Sequence, residues 1–268
     1  MTKPAFNVNN FDLVRLFAAG QVAMDHGLTH LLPEFEGSAL AGVLACIPGV
    51  PVFFFVSGFL VSKSWEVSKS PGQYARNRFL RLYPGLIACV LLSIALVTAL
   101  GYPRTSGASA GDLLLWLAAQ LSFVQFYNPD FLRGFGTGVL NGSLWTISVE
   151  LQFYVLVPLL YAALRPLAAR SREFMLVILV LVFIVCNQLF LALGPAHGEE
   201  LTYKLVKVSF VPWFYMFLVG VLVQRHLPAV LAVVEGRFLP FRALYVIVVT
   251  LLAGPAGASL GNAIGPLP

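Results

Sequence analysis

The sequence predicts an all-α protein, a polytopic bundle of transmembrane helices, from its composition and from the lengths of its apolar runs. Of the 268 residues, 59% are apolar and 11% are charged, and the mean hydropathy is +0.84. An ordinary soluble domain carries about 25% charged residues. A membrane-spanning helix needs about 20 mostly apolar residues, and about 7–8 segments approach that length. They lie near residues 11–32, 44–62, 79–101, 112–128, 143–164, 174–194, 208–225 and 243–262.

The first run, "FDLVRLFAAGQVAMDHG", is apolar but carries Asp12, Arg15, Asp25 and His26. At about 100° per residue, His26 lies about 20° and Asp12 about 60° from Arg15, so these three share a helix face. Ionisable groups in membrane spans usually face a bundle interior or an aqueous cavity. An alternative for Asp12 and Arg15 is that they lie at the cytoplasmic membrane interface and extend their side chains to water. His26 fits either a hydrogen-bonded structural histidine or one that handles protons.

Basic residues set the expected topology around the second and third runs. Lys63, Lys69 and three arginines follow the second run, so the positive-inside rule places this loop and the N-terminus in the cytoplasm. The arginines are Arg76, Arg78 and Arg81, and the last two are three residues apart, so they share a helix face if the third helix has begun there. Topology alone explains them, yet guanidinium groups are also preferred phosphate ligands. In the second run, "FVSGFL", small Ser57 and Gly58 favour close helix approach.

The fourth run, near 112–128, is short and leads into the glycine-rich "FLRGFGTGVLNGS". If the segment at about 112–142 enters and leaves on one side, the basic residues of 165–172 and 225–242 all face the cytoplasm. Irregular backbone at membrane depth is tolerated only where protein or a water-filled cavity covers it. We therefore favour a re-entrant segment here.

The fifth run, "NGSLWTISVELQFYVLVPLL", carries one acid, Glu150. On a helix, Ser143, Thr146 and Tyr154 fall within about 40° of Glu150. A carboxylate inside a span needs a partner. The face fits either a polar clamp between helices or a catalytic site.

Charge and cysteine content exclude other functions. The net charge of +5 is explained by loop arginines, so we expect contact with anionic lipid headgroups and no nucleic-acid partner. The three cysteines are scattered and have no metal-ligand spacing, so we expect no metal. We expect residues 1–268 to form a single integral-membrane domain, and its oligomeric state is not predicted.

Five stretches in this order resemble one family, the bacterial multi-pass membrane O-acyltransferases of the acyltransferase 3 type. They are "NNFDLVRLFAAGQVAMDHG", "FFFVSGFLVSKSW", "RNRFLRLYP", "SLWTISVELQFYVLVPLL" and "FVPWFYMFLVGVL". By this resemblance, the family's first-helix arginine and histidine fall on Arg15 and His26, and its R-x-x-R pair on Arg78 and Arg81. Its tryptophan and glutamate, in the element S-L-W-x-x-S-x-E, fall on Trp145 and Glu150 of "SLWTISVE".

The resemblance implies an enzyme of the bacterial inner membrane that moves an acetyl or other short acyl group from acyl-CoA to a hydroxyl of a carbohydrate or glycan. Acetyl-CoA is the first expectation for the donor, with no permanently bound cofactor. His26 would act as general base with Glu150 and Arg15 in support, and Arg76, Arg78 and Arg81 would hold the coenzyme A phosphates. A covalent histidyl or seryl intermediate is the alternative mechanism. Candidate pocket residues are Asp12, Ser57, Trp145, Ser148 and Tyr154.

Two departures from the family and two other functions stay open. Relatives usually continue through about ten spans, so we expect this chain to lack the family's last helices. Asp25 beside His26 is a second departure, because many relatives are expected to have an aromatic or small residue at this position. A nearby acid stabilises the charged imidazole. A transporter or flippase for a polar lipid or sugar also uses intramembrane charges, and a non-catalytic scaffold is a third function.

Overall fold

A computed structural model describes residues 10–32, 38, 41–42, 44, 48–102, 106–134, 140–198, 200–237 and 239. Every regular element in these ranges is helical, which confirms the all-α prediction. The helices are α1 Phe11–Leu31, α2 Gly49–Val67, α3 Pro71–Ala99, α4 Ala110–Gln120, α5 Asp130–Arg133, α6 Trp145–Leu164, α7 Ala169–His197, α8 Leu201–Lys207, α9 Phe214–Arg225 and α10 Leu227–Val234.

Four of the described helices, α2, α3, α6 and α7, are long and apolar enough to cross a membrane. A fifth span results if the bent pair α9 and α10, with 84° between them, counts as one. Helix α1 has the length of a span, but its ionisable side chains lower its hydropathy. The described residues therefore give four or five candidate spans where the sequence predicts seven to eight. The run at 243–262 lies outside the described residues.

Several helices begin or end away from the predicted limits, and local chemistry explains the differences. Helix α3 starts at Pro71, earlier than the predicted 79, because the Ser70 hydroxyl accepts a hydrogen bond from the Gln73 amide and Pro71 fits the first turn. The arginines predicted in a loop therefore lie on this helix. Helix α4 starts at Ala110, ends at Gln120 and has 11 residues, so the helical part of the run at 112–128 is too short to span a bilayer.

The chain divides into two compact units, each built from separate stretches of sequence. Unit 1 comprises residues 1–60, 175–198 and 213–268, and unit 2 comprises residues 61–174 and 199–212. Unit 1 holds α1, most of α2 and α7, α9 and α10, whereas unit 2 holds α3 to α6 and α8.

Unit 1 is packed through aromatic rings and through the glycine pair Gly58 and Gly220, which lie where α2 and α9 approach closely. Trp213 lies against Phe54 and Phe190, with ring centroids 6.4 and 5.8 Å apart. A Cβ at Gly58 on α2 would overlap the carbonyl oxygen of Phe217 on α9, so only glycine allows this approach. The sequence prediction that Gly58 permits close helix packing is confirmed.

Unit 2 has an apolar core where α3 packs against the segments between α4 and α6. Its buried members are Leu86, Val90, Val97, Trp116, Leu132 and Leu144. Outward-facing leucines on α3, such as Leu92, are largely exposed. An apolar exposed surface of this kind is typical of a lipid-facing helix.

Candidate active site

The arginine of α1 is tied to the second helix of unit 1. Arg15 Nη2 donates a hydrogen bond to Ser57 Oγ at 2.7 Å, and its guanidinium lies 5.9 Å from the centre of the Phe53 ring. Ser57 is 1% exposed. Two predicted site residues, Arg15 and Ser57, are thus in direct contact, while Asp12 is exposed.

The contact face of α1 differs from the face predicted from its charges. Gln21, which the helical wheel places off that face, accepts a hydrogen bond from the Gly49 amide at 3.0 Å and donates to the Leu44 carbonyl at 3.1 Å. Ala18, one turn before Gln21, is buried, and a Cβ at Gly49 would overlap the carbonyl oxygen of Ala18. The face is set by small and amide side chains as well as by ionisable ones.

His26 lies near the other end of α1 and is partly buried. Its ring stacks against that of His30, one turn further on, with centroids 6.4 Å apart and planes inclined by 11°. Asp25 is also partly buried, and nothing in the described part of unit 1 explains its presence there.

Glu150 and Arg78 are linked in unit 2 by one tyrosine. The Tyr154 hydroxyl donates to Glu150 Oε1 at 2.8 Å. The Arg78 guanidinium lies 5.8 Å from the centre of the Tyr154 ring, within cation–π range. Tyr74, one turn before Arg78 on α3, donates its hydroxyl to the Tyr154 carbonyl at 2.9 Å. This chain of contacts holds an arginine, a phenol and a carboxylate together between α3 and α6.

The three arginines of α3 differ in how far they are buried. Arg78 is partly buried, and its Nε is a buried donor with no hydrogen-bond partner among the described residues. Arg76 and Arg81 are exposed. Arg81 is close enough to Arg78 for their charges to interact, which agrees with the face predicted for the pair.

A second polar face of α6 contacts other segments of unit 2. The Ser148 hydroxyl donates to Gln125 Oε1. The Gln152 amide donates to the Val208 carbonyl at 2.9 Å and accepts from the Phe210 amide at 2.8 Å. Gln152 therefore fixes the irregular segment between α8 and α9 against α6.

Trp145 is the first residue of this second face, and its ring is in contact with a lysine ammonium group. The Lys207 Nζ lies 5.9 Å from the centre of the Trp145 ring. Burial lowers the pKa of the Lys207 ammonium, because desolvation disfavours its charged form. Lys207 lies at the end of α8, in a segment whose sequence shows no motif of its own.

The predicted site residues are distributed over the two units. Arg15 and Ser57 belong to unit 1, as does His26, whereas Arg78, Glu150 and Tyr154 belong to unit 2. Trp145 and Ser148 lie on the second face of α6. Sequence reasoning missed five residues that hold these groups, namely Gln21, Tyr74, Gln125, Gln152 and Lys207. Of these, only Tyr74 had a readable signal: Ser70 and Pro71 form a helix-start pattern, which places Tyr74 one turn before Arg78 on the same helix.

Acyl transfer needs a base or nucleophile, stabilised charge and a binding site for an anionic donor. The contacts described supply a partly buried histidine, a tyrosine-held carboxylate and a guanidinium with a spare donor. Among the described residues, no group of three or more His, Cys, Asp or Glu side chains is arranged to hold a metal ion.

Comparison with known proteins identifies the family. Residues 8–266 match the sequence model of a family described as "Acyltransferase domain". Nodulation protein 10 of Rhizobium leguminosarum bv. viciae is 32% identical over 277 residues, which cover 95% of this chain and 70% of that protein. No solved structure matches the chain significantly.

Two other relatives match over shorter stretches. The O-acetyl transferase of Shigella phage Sf6 is 28% identical over 177 residues, covering 65% of this chain and 51% of that protein. The peptidoglycan O-acetyltransferase OatA of Listeria monocytogenes serovar 1/2a is 26% identical over 148 residues, covering 47% of this chain and 24% of that protein.

Proposed function

Because this chain belongs to the acyltransferase family that its residues 8–266 match, we propose that it moves a short acyl group from acyl-CoA to a hydroxyl of a carbohydrate or cell-surface glycan. The chain is an acyltransferase by enzyme class. An acetyl group is the expected acyl group, and the bacterial inner membrane is the expected location. The seven to eight spans, the re-entrant segment and the cytoplasmic N-terminus belong to the same proposal.

The observation that supports this function best is the contact chain from Arg78 through Tyr154 to Glu150. Arg78 and Glu150 are the residues onto which the family's arginine pair and glutamate fall. They are far apart in sequence, and Tyr154 contacts both of them. A purely topological role for Arg78 would not require a partly buried guanidinium against an aromatic ring. The arrangement fits a site that places positive charge next to an oriented carboxylate.

The arginines of α3 suit a phosphorylated donor. Coenzyme A carries phosphate groups, and guanidinium groups bind phosphates through paired N–H donors. The buried Arg78 Nε has a hydrogen to donate, and exposed Arg76 and Arg81 add positive charge on the same helix. Arg78 would fix the donor while its two neighbours attract it.

The chemical step transfers one acyl group and one proton. The acceptor hydroxyl oxygen attacks the thioester carbonyl carbon, the new C–O bond forms, and the C–S bond breaks. We assign the proton of the hydroxyl to His26, because an imidazole nitrogen can accept a proton and suits a general base. The departing thiolate of coenzyme A then takes up that proton.

Two further residues keep the roles that the sequence implies. Glu150, oriented by Tyr154, supplies a fixed negative charge in unit 2, and Arg15, anchored to Ser57, supplies a fixed positive charge in unit 1. Side chains held in this way are already oriented before substrate binds, which reduces the cost of reorganisation during the reaction.

The acceptor class is supported by the relatives. One is named an O-acetyl transferase and another a peptidoglycan O-acetyltransferase. Both names describe transfer of an acetyl group to oxygen, and the second names a cell-surface glycan. We propose that the acceptor of this chain is likewise a hydroxyl of a glycan.

The test compares surface glycans from cells with and without the gene by mass spectrometry. Cells with the gene should carry glycans heavier by one acyl group, and the mass difference identifies the group. A strain expressing Arg78→Ala should lose most of the modification, whereas Arg170→Ala, which removes an exposed arginine at the start of α7, should retain it. Identical glycans in the presence and absence of the gene would contradict the proposal.

A further inference from the structure

A buried amide in unit 2 is left with an unused hydrogen-bond donor. Gln125 is 3% exposed and lies in the irregular segment between α4 and α5. Its Oε1 accepts the Ser148 hydroxyl, but its Nε2 has no hydrogen-bond partner among the described residues. Because most buried polar side-chain atoms are hydrogen-bonded, such an exception calls for an explanation.

The surrounding structure holds Gln125 in place. Gln120, 2% exposed at the end of α4, donates from its amide to the carbonyls of Gln125 and Tyr127, both at 3.2 Å. These bonds close the turn that carries Gln125. Ser148, 0% exposed, fixes the side chain from α6. The amide is thus firmly positioned while one of its groups is unused.

The unused groups are complementary to a hydroxyl. Ser148 Oγ donates to Gln125 and accepts no hydrogen bond among the described residues, so the pair offers one donor, Gln125 Nε2, and one acceptor, Ser148 Oγ. A hydroxyl presents one of each. If the amide is turned over, Nε2 donates to Ser148, and Gln125 Oε1 and the Ser148 hydroxyl hydrogen become the unused pair. The complementarity therefore does not depend on how the amide is assigned.

We propose that Gln125 and Ser148 bind a non-reacting hydroxyl of the carbohydrate acceptor and so contribute to acceptor specificity, an inference that rests on the proposed function. A carbonyl would use only the donor, and an anion would meet no cation in the pair. Ser148 lies about 160° around α6 from Glu150 at 100° per residue. The hydroxyl recognised here is thus separate from the function assigned to Glu150.

Neighbouring residues on the same face of α6 suit a sugar as well. Trp145 lies about 60° from Ser148 around the helix, and its ring is partly exposed with Lys207 nearby. An aromatic ring offers an apolar surface and the ammonium offers hydrogen-bond donors. A hydroxyl-rich ligand uses both kinds of contact.

The test uses the purified full chain in lipid nanodiscs, with acetyl-CoA as donor and, as acceptor, the surface glycan isolated from a strain lacking the gene. Gln125→Met should raise KM for the glycan about tenfold, the loss expected for one buried hydrogen bond. Its thermal midpoint should not fall, because the substitution removes an unused donor and Ser148 can donate to a backbone carbonyl of its own helix.

The matched control is Gln120→Met, an equally buried amide whose donors are used. It should lower the thermal midpoint, since two carbonyls lose their donor. A Gln125→Met variant with wild-type KM for the glycan, whether or not its thermal midpoint falls as in Gln120→Met, would show that the amide binds only protein or water. That result would overturn this inference alone. A wild-type protein that neither hydrolyses acetyl-CoA nor modifies the glycan would contradict the proposed function itself.

Discussion

The hydroxyl of Tyr154 lies 2.8 Å from Oε1 of Glu150, one turn earlier on the same helix, while the ring of Tyr154 packs beneath Arg78 of another helix. The tyrosine therefore orients a carboxylate and contacts a cation with different parts of one side chain. Because Tyr74 holds the backbone of Tyr154 as well, the group is fixed from α3 and α6 together.

Tyr154→Phe should keep the ring under Arg78 and remove only the bond to Glu150. A hydrogen bond to a charged group contributes about 1.5–3 kcal/mol, so kcat for acyl transfer should fall roughly tenfold to a hundredfold. Binding of coenzyme A, measured by titration calorimetry, should stay near the wild-type value.

Tyr161→Phe is the matched control for that change. Tyr161 lies on the same helix and donates to Glu66 at 2.9 Å, outside the Arg78 group. Its loss should leave kcat within about twofold of wild type. Equal kcat values for Tyr154→Phe and wild type would show that the orientation of Glu150 is unimportant for the reaction.

Arg78→Lys should impair donor binding although it preserves the charge. Lysine lacks the planar fork of N–H donors and stacks less well on an aromatic ring. We expect KM for acetyl-CoA to rise about tenfold or more, as for the loss of a charged hydrogen bond. Steady-state hydrolysis of acetyl-CoA measures this, with Arg170→Lys as the exposed control. An unchanged KM would remove Arg78 from the donor site.

Gly58→Ala should destabilise unit 1. The added methyl group would overlap the Phe217 carbonyl on α9, and overpacking of this kind costs about 1–3 kcal/mol. Gly20→Ala, on α1, meets nothing within 4 Å and should be neutral or stabilising by up to about 1 kcal/mol, because alanine favours a helix. Midpoints from heating in detergent followed by size exclusion compare the two. A Gly58→Ala midpoint at or above that of Gly20→Ala would contradict the close helix approach.

Ser109→Ala should destabilise the start of α4. Ser109 and Asp112 form a capping box, and replacing an N-cap serine by alanine costs about 1 kcal/mol. Hydrogen bonds from the Ser109 side chain and then its backbone hold the pKa of the Asp112 carboxyl below its ordinary value. The stabilisation is therefore present above the pKa of the carboxyl in the unfolded chain, and it is lost as the pH falls through the lower pKa of the folded state.

The measurement for this cap is the thermal midpoint between pH 6 and pH 3. The wild type should lose more stability than Ser109→Ala over that range, because the variant has already lost the hydroxyl bond to Asp112. Asp130→Asn, which removes an exposed ion pair with Arg133, should change the midpoint little. Parallel pH curves for wild type and Ser109→Ala would contradict the assigned cap.

Local patterns predicted the site where its contacts are local. Glu150 and Tyr154 are four residues apart, so helical spacing alone placed them on one face, and the small residue Gly58 indicated a close helix contact. Spacing also placed Arg78 and Arg81 together, although the helix that carries them begins earlier than its apolar run suggested. The cap formed by Ser70 and Pro71 decides that start.

Contacts between distant segments could not be predicted in this way. Gln125 lies in an irregular turn and meets Ser148 only through the fold of unit 2, and Lys207 reaches Trp145 because Gln152 holds the segment that follows α8. On α1, a wheel drawn from ionisable residues missed Gln21, whose contacts with Leu44 and Gly49 depend on the packing of small residues.

We propose above that this chain transfers an acyl group with His26 as the base. The direct measurement follows deuterium-labelled acetyl groups from acetyl-CoA into isolated glycan by mass spectrometry, with purified wild type, His26→Ala and His30→Ala. We predict labelled glycan from the wild type and from His30→Ala, whose histidine stacks on His26 but has no assigned role. His26→Ala should give almost none. Transfer by His26→Ala at the wild-type rate would contradict the role of His26 as the base, and no labelled glycan from the wild type would contradict acyl transfer to the glycan.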